Sequence, residues 1–205
     1  MKSAKNFYEQ SDTYQELKRE LIKDYDEKNV KEIFDMAAEK LDSYRKEYAG
    51  IPKGEHVHTD GIIFPRAAMY LSMKEKIGDE AFPIIKELSK KNALKMGETY
   101  GKFTKTKGIS KLFLKIYGFM AAHMFGEKNG FQIKFYDTNV SVLKFDITQC
   151  PYKKFVNLLN CPEIAELSCD ADVYSYGNLK CVEFVRTSTL SKGADKCDFE
   201  LRIRK

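Results

Sequence analysis

Phe131-Gln132-Ile133-Lys134-Phe135-Tyr136 and, after a polar break, Leu143-Lys144-Phe145-Asp146-Ile147 decide the fold. Up to Gly130 the apolar residues recur at three- and four-residue intervals; from Phe131 onward they recur at every second residue, the period of a strand with one buried face. The cluster Asp137-Thr138-Asn139 between the two runs reads as a hairpin turn. Downstream, Pro151 to Leu159 and about Pro162 to Leu167 read as short helices, followed by strands from about Cys181 to Leu190 and from Lys196 to Arg204. In the last strand Cys197, Phe199, Leu201 and Ile203 face one way while Lys196, Asp198, Glu200, Arg202 and Arg204 face the other, so Cys197 points at the core. The order ββ-αα-ββ implies an α+β fold with a mainly antiparallel four-stranded sheet.

Upstream the pattern is helical. Tyr14, Leu17, Leu21 and Tyr25, then Val30, Ile33, Phe34, Ala37, Leu41, Tyr44 and Tyr48, read as two amphipathic helices ended by Gly50, Pro52 and Gly54. A polar loop then carries Glu55 to Gly61 into a third helix, Pro65 to Ile77, with Gly78 as its C-cap. Asp79 caps a fourth helix whose first turn tolerates Pro83. Ile109 to Phe125 is the most apolar helix and is expected to be central and buried. The expected organisation is a single domain: 1–60 a helical N-terminal extension, 61–130 helices covering the sheet, and 131–205 the strand-helix-strand region.

A chain of 205 residues buries a core without disulfides or a structural metal. No apolar run approaches the roughly 18 to 20 residues of a membrane span, so no membrane partner is expected. The polar stretch Met1 to Gln10 has no signal-like apolar segment, and the odd number of cysteines, five, fits a reducing compartment; both point to the cytoplasm. The net charge of +5 is a weak pull toward anions. Its one-signed stretch, Lys102 to Lys115, reads as a solvated surface, and without more Arg and an aromatic-decorated basic face no nucleic-acid partner is expected.

Chemistry concentrates in the last third, where all five cysteines lie. Cys150 and Cys161 each precede a proline at the start of a helix, where exposed N–H groups favour thiolate; the alternative is that each is a small core hydrophobe. The cysteine spacing holds no Cys-x-x-Cys knuckle, so neither zinc nor another cofactor is expected. His56, His58 and Asp60 alternate as metal ligands do, but no apolar strand precedes them, and they read as a mobile surface loop. His123 reads as a satisfied core histidine. No phosphate loop or nucleophile elbow occurs. Arg186, read as mid-strand beside Phe184 and Ser188, needs an anion: either an internal one from Glu163, Asp170, Asp172 or Asp198, or a substrate carboxylate held bidentately.

Cys150-Pro151-Tyr152, Pro162-Glu163, Cys169-Asp170-Ala171-Asp172 and Arg186-Thr187-Ser188-Thr189-Leu190, followed by Gly193-Ala194-Asp195-Lys196-Cys197-Asp198-Phe199, resemble the L-2-amino-thiazoline-4-carboxylic acid hydrolase family. The spacing Arg-Thr-x-Thr-Leu-x-x-Gly-x-x-x-Cys-Asp-Phe is the most specific part; Ser191, where alanine is common, departs from it. The resemblance implies hydrolytic opening of a cyclic isothiourea to N-carbamoyl-L-cysteine, with a small carboxylate-bearing substrate as the partner. Two routes fit. In one, a helix-terminal thiolate, Cys150 or Cys169, or the core-facing Cys197, attacks the amidine-like carbon while Asp170 or Asp198 shuttles protons. In the other, a carboxylate activates water and the cysteines shape the pocket. In either case the resemblance implies Arg186 on the substrate carboxylate, with Thr187, Thr189, Glu163 and Asp172 as further substrate-binding residues.

The two-strand, helix, two-strand layout is also similar to the small ligand-binding domain of the 4-vinyl-reductase type, which implies a non-enzymatic module for a hydrophobic or metal-containing ligand. A small polar cavity near Cys150, Arg186 and Cys197 favours hydrolysis; a long apolar one lined by Ile109 to Phe125 favours ligand binding.

Overall fold

Ser11 breaks the first amphipathic stretch, so three helices stand where the spacing suggested two. In the computed structural model, which describes residues 3–136 and 139–204, α1 (Ala4–Gln10) and α2 (Asp12–Asp24) are separated by Ser11 in extended conformation, and α3 (Glu27–Glu47) follows. Asp26 caps α3 by accepting from the Asn29 N–H at 2.9 Å, and the stripe Val30, Ile33, Ala37 and Leu41 is completely buried.

The segment read as a mobile loop is instead helical and pinned. α4 (Glu55–His58) runs through one π-type turn (Thr59–Ile63) into α5 (Phe64–Ile77). Glu55, His58 and Thr59 are buried: Glu55 accepts from Lys154 at 3.1 Å, and His58 uses both ring nitrogens, on the Met124 carbonyl at 2.9 Å and the Tyr152 hydroxyl at 3.2 Å. Polar side chains with internal partners can be buried, which a polarity pattern alone cannot reveal. Gly78, at φ 61°, ends α5, as expected of a C-cap glycine.

α6 (Ala81–Phe103) and α7 (Lys107–Met124) precede the sheet. Its strands are β1 (Gln132–Phe135), β2 (Val142–Gln149), β3 (Val182–Val185) and β4 (Cys197–Ile203), in the order β1-β2-β4-β3 with every pair antiparallel. Between β2 and β3 lie α8 (Pro151–Leu158) and α9 (Ala165–Tyr176). The pairs Leu143–Leu201, Phe145–Phe199 and Ile147–Cys197 set the buried face of the central strands. The α+β reading and the alternation in the last strand hold. Of the expected hairpin turn, Asp137 and Thr138 lie outside the described residues.

Two apolar clusters form. One joins α1, α2, α3 and α5 with α8 and the start of α9; the other joins the sheet to α7, and Tyr152 packs against both. Of the helices in 61–130, α5 packs on α3, while α7 meets β2 and β4. α7 is not central. Only its line through Ser110, Leu114 and Ala121 is buried, while Leu112, Ile116 and Phe119 are half or more exposed. The most buried helix is α5, with Phe64, Ala67, Ala68, Met69 and Met73 fully buried, while α6 and α9 pack so closely that a Cβ on Gly97 would meet the Tyr174 and Ser175 carbonyl oxygens at 2.8 and 2.9 Å. His123 is likewise exposed rather than in the core, its Nδ1 satisfied by the Phe119 carbonyl at 2.8 Å.

Candidate active site

α9 extends well past Leu167, where the second short helix was expected to stop, and places Cys169 in mid-helix rather than at a terminus. Residues three and four apart share a helix face, so Ser168, Cys169 and Asp172 present together. Cys197 of β4 reaches the same spot and donates its thiol proton to Cys169. That bond is the largest influence on Cys169. Burial opposes it, the Ser191 hydroxyl and the Arg186 charge reinforce it, and the thiol falls to about 6. Cys197 is correspondingly pushed far above the usual thiol range, and its sulfur accepts the Leu190 N–H at 3.2 Å.

Arg186 lies just beyond β3 instead of in mid-strand. Its side chain is 5% exposed and stacks over Phe184 and Phe199. Nη1 donates to Asp172 Oδ2 at 3.0 Å and Nη2 to the Cys169 carbonyl at 2.6 Å, which selects Asp172 from the four internal anions considered. Burial nevertheless pushes the Asp172 carboxyl up to about 7, although Arg186 pulls it down. A third of that side chain is still solvent-accessible, so Asp172 is not sealed in packing.

β3 stops early because Asp198 supplies the partners that a ladder would. Its carboxylate accepts the N–H of Thr187 at 2.9 Å and of Ser188 at 2.6 Å, and both their hydroxyls, at 2.7 and 3.0 Å. Burial alone would raise its pKa, but these donors hold it below the usual carboxylate range. A carboxylate so saturated is a clamp on the 186–189 loop and not the proton shuttle anticipated for it. Gly193, at φ 86°, closes the turn that follows. Asp170, Arg186, Thr187 and Thr189 do meet, around a polar cleft of about 340 Å³.

The remaining candidates scatter. Cys150 is the N-cap of α8, and the N–H groups of Lys153 and Tyr152 do lower its pKa as the dipole argument requires, but burial dominates and leaves it at about 11. Cys161 is completely buried and pushed up to about 12, mainly by burial; it is a core residue. Glu163 belongs elsewhere, bonded to Tyr70 at 2.6 Å and Lys74 at 2.9 Å. Among the described residues no group of three or more His, Cys, Asp and Glu could hold a metal ion.

Sequence reasoning missed three polar groups packed near α9. Tyr117 donates to Tyr176 at 2.8 Å, and burial raises both far above the usual phenol range. Arg66, on α5, donates to Ser168 at 2.8 Å. A signal for it existed: Arg66 is the one charge in the run Ile62 to Leu71.

A comparison with protein-family models matches residues 56–201 to the L-2-amino-thiazoline-4-carboxylic acid hydrolases. The chain belongs to that family. The match reaches far upstream of the cysteine-bearing blocks, so α5 and Arg66 fall within the family's extent. No curated protein and no solved structure matches the chain.

Proposed function

We propose that this member of the thiazoline-carboxylate hydrolase family opens a small cyclic isothiourea, with Cys169 as nucleophile and Asp172 as the proton carrier. The reading is supported by one observation: Arg186 binds both Asp172 and the backbone of Cys169, and Cys197 meets Cys169, so the four residues gather between α9 and the sheet. The Cys169 thiolate attacks the amidine-like carbon, and protonated Asp172 delivers its proton to the departing ring sulfur as the C–S bond breaks. An isothiourea then links the substrate to Cys169. The Asp172 carboxylate takes a proton from water, which adds to the same carbon and expels the thiolate, leaving the N-carbamoyl amino acid with a free thiol. One water is consumed and both groups return to their starting states. Arg186 acts on this chemistry by orienting Asp172 and stabilising the thiolate.

The test is thiol release from 2-amino-thiazoline-4-carboxylate. Unaltered protein is expected to release one thiol per substrate, and Cys169→Ser to lose at least 1,000-fold in kcat, within the range over which activated nucleophiles matter. Thiol release that survives Cys169→Ser selects direct attack by water activated at Asp172. Absence of release from unaltered protein at high concentration removes the hydrolase reading.

A second reading has one observation in its favour. A largely apolar groove of about 740 Å³ lies between α7 and the β1-β2 hairpin, lined by Leu112, Phe119, Phe135 and Val142 among others, with Lys111 and Lys115 at its edge. It would suit the ligand-binding module, but it includes none of the five cysteines. A hydrophobic ligand that binds there without thiol release from the thiazoline would favour this reading.

A further inference from the structure

Arg66 is a cation in an interior position. Its helical neighbours Ile63, Phe64, Ala67, Ala68 and Met69 are at most 2% exposed, whereas Arg66 itself is only half-buried, so its side chain keeps access to solvent from a buried stretch of helix. Its hydrogen bond to the Ser168 hydroxyl leaves the charge unneutralised, and no carboxylate lies within ion-pair distance among the described residues. Arg186, by contrast, is satisfied by Asp172 and a carbonyl. A half-buried guanidinium with unused donors and no carboxylate partner is a receptor for an anion.

The surroundings suit an oxyanion of the substrate. The charge of Arg66 acts on the hydroxyls of both Tyr14 and Tyr152, and Tyr152 in turn feels Cys150 and Asp172. The Tyr14 hydroxyl makes no hydrogen bond among the described residues although its ring is buried. Ser168 precedes Cys169 directly and stands one turn, about 6 Å along the axis, before Asp172. An anion held by Arg66 is therefore close to the stretch of α9 that carries Cys169 and Asp172.

We propose that Arg66, with the Tyr14 hydroxyl, forms the subsite for the substrate's carboxylate. The inference rests on the hydrolase reading for the substrate's identity and replaces Arg186 in that role. It also supplies the helical half of the chain with a reason to be part of the active site.

Calorimetry in a Cys169→Ser background separates binding from turnover. The probes are 2-amino-thiazoline-4-carboxylate and 2-amino-thiazoline, which lacks the carboxylate. The Cys169→Ser protein is expected to prefer the carboxylate by at least 30-fold, and the added Arg66→Gln change to reduce that preference to within threefold. Should Arg66→Gln prevent folding, Tyr14→Phe in the same background is expected to lower the preference about fivefold. No preference in the Cys169→Ser protein, or a preference retained in the folded variants, overturns the subsite. Thiol release by unaltered protein without any carboxylate preference would sink the anchor and keep the hydrolase; a preference lost with Arg66 but without thiol release would do the reverse.

Discussion

Arg186 Nη1 and Asp172 Oδ2 are 3.0 Å apart, the same guanidinium holds the carbonyl of Cys169, and its charge also lowers the Cys169 thiol, so one buried cation acts on two acidic groups. It cannot stabilise both as anions equally. Cys169 gains most from the Cys197 thiol and titrates near 6, while Asp172, raised by burial, titrates near 7. Such neighbours lose their protons in two shared steps.

The consequence is a narrow bell in the pH dependence of kcat/KM. Activity should rise as pH passes about 6, where Cys169 becomes thiolate, and fall as it passes about 7, where Asp172 loses the proton owed to the leaving sulfur. Asp172→Asn should abolish the alkaline limb and lower the rate by roughly 100-fold or more. It should leave the acid limb nearly in place, because Asp172 is still protonated and uncharged where Cys169 ionises. Rates of thiol release from pH 5 to 9 check this; an alkaline limb that survives Asp172→Asn would assign it to another group.

Cys197 should tune Cys169 without touching substrate. Cys197→Ala removes the bond that most favours the thiolate, so the Cys169 pKa should rise and labelling by iodoacetamide at pH 6.5 should slow about tenfold. Cys150 and Cys161, both pushed well above the ordinary thiol range, should label slowly in either protein, as peptide mapping would read out. Equal labelling of Cys169 with and without Cys197 would remove the coupling.

The α+β class, the sheet's buried face and the importance of Arg186 could be read from the sequence because alternation and an unpaired charge are local signals. What failed was long-range. Asp198 was readable as an acid, but not as the clamp on Thr187 and Ser188 that ends β3. Glu55 and His58 read as loop residues because their polarity was visible while Lys154, Met124 and Tyr152, distant in the chain, were not. Cys150 shows a correct local argument overruled: the helix N-terminus does favour its thiolate, and burial costs more. Apolarity likewise placed α7 in the centre, a position that the more deeply buried α5 holds instead.

Asp198→Ala should loosen the 186–189 loop. Bonds from two N–H groups and two hydroxyls to one carboxylate disappear, with an expected loss of about 1–3 kcal/mol, since charge-assisted bonds are worth more than neutral ones but water replaces part of each. The ionised form is the one favoured on folding, so its contribution is present above the unfolded carboxylate range and disappears as pH falls through and below it. Thermal melts should therefore separate wild type from variant at pH 7 and converge near pH 3. A constant gap across that range would mean that the carboxylate's charge does not matter.

Gly97 makes the fold itself testable. The backbone of α6 comes so close to α9 that a Cβ at this position would press on main-chain oxygens of Tyr174 and Ser175, and carbonyls cannot swing aside as a flexible side chain can. Alanine normally stabilises a helix interior relative to glycine by roughly 0.5–1 kcal/mol, so the local preference and the packing have opposite signs. Packing should win: Gly97→Ala is expected to destabilise by about 1–3 kcal/mol. Because α9 carries Cys169 and Asp172, a forced shift should also reduce kcat more than it raises KM. Gly50 is the control, since its Cβ would meet nothing and no such packing penalty applies. Gly97→Ala melting at or above the wild-type temperature would show that α6 and α9 are not packed as closely as this contact requires.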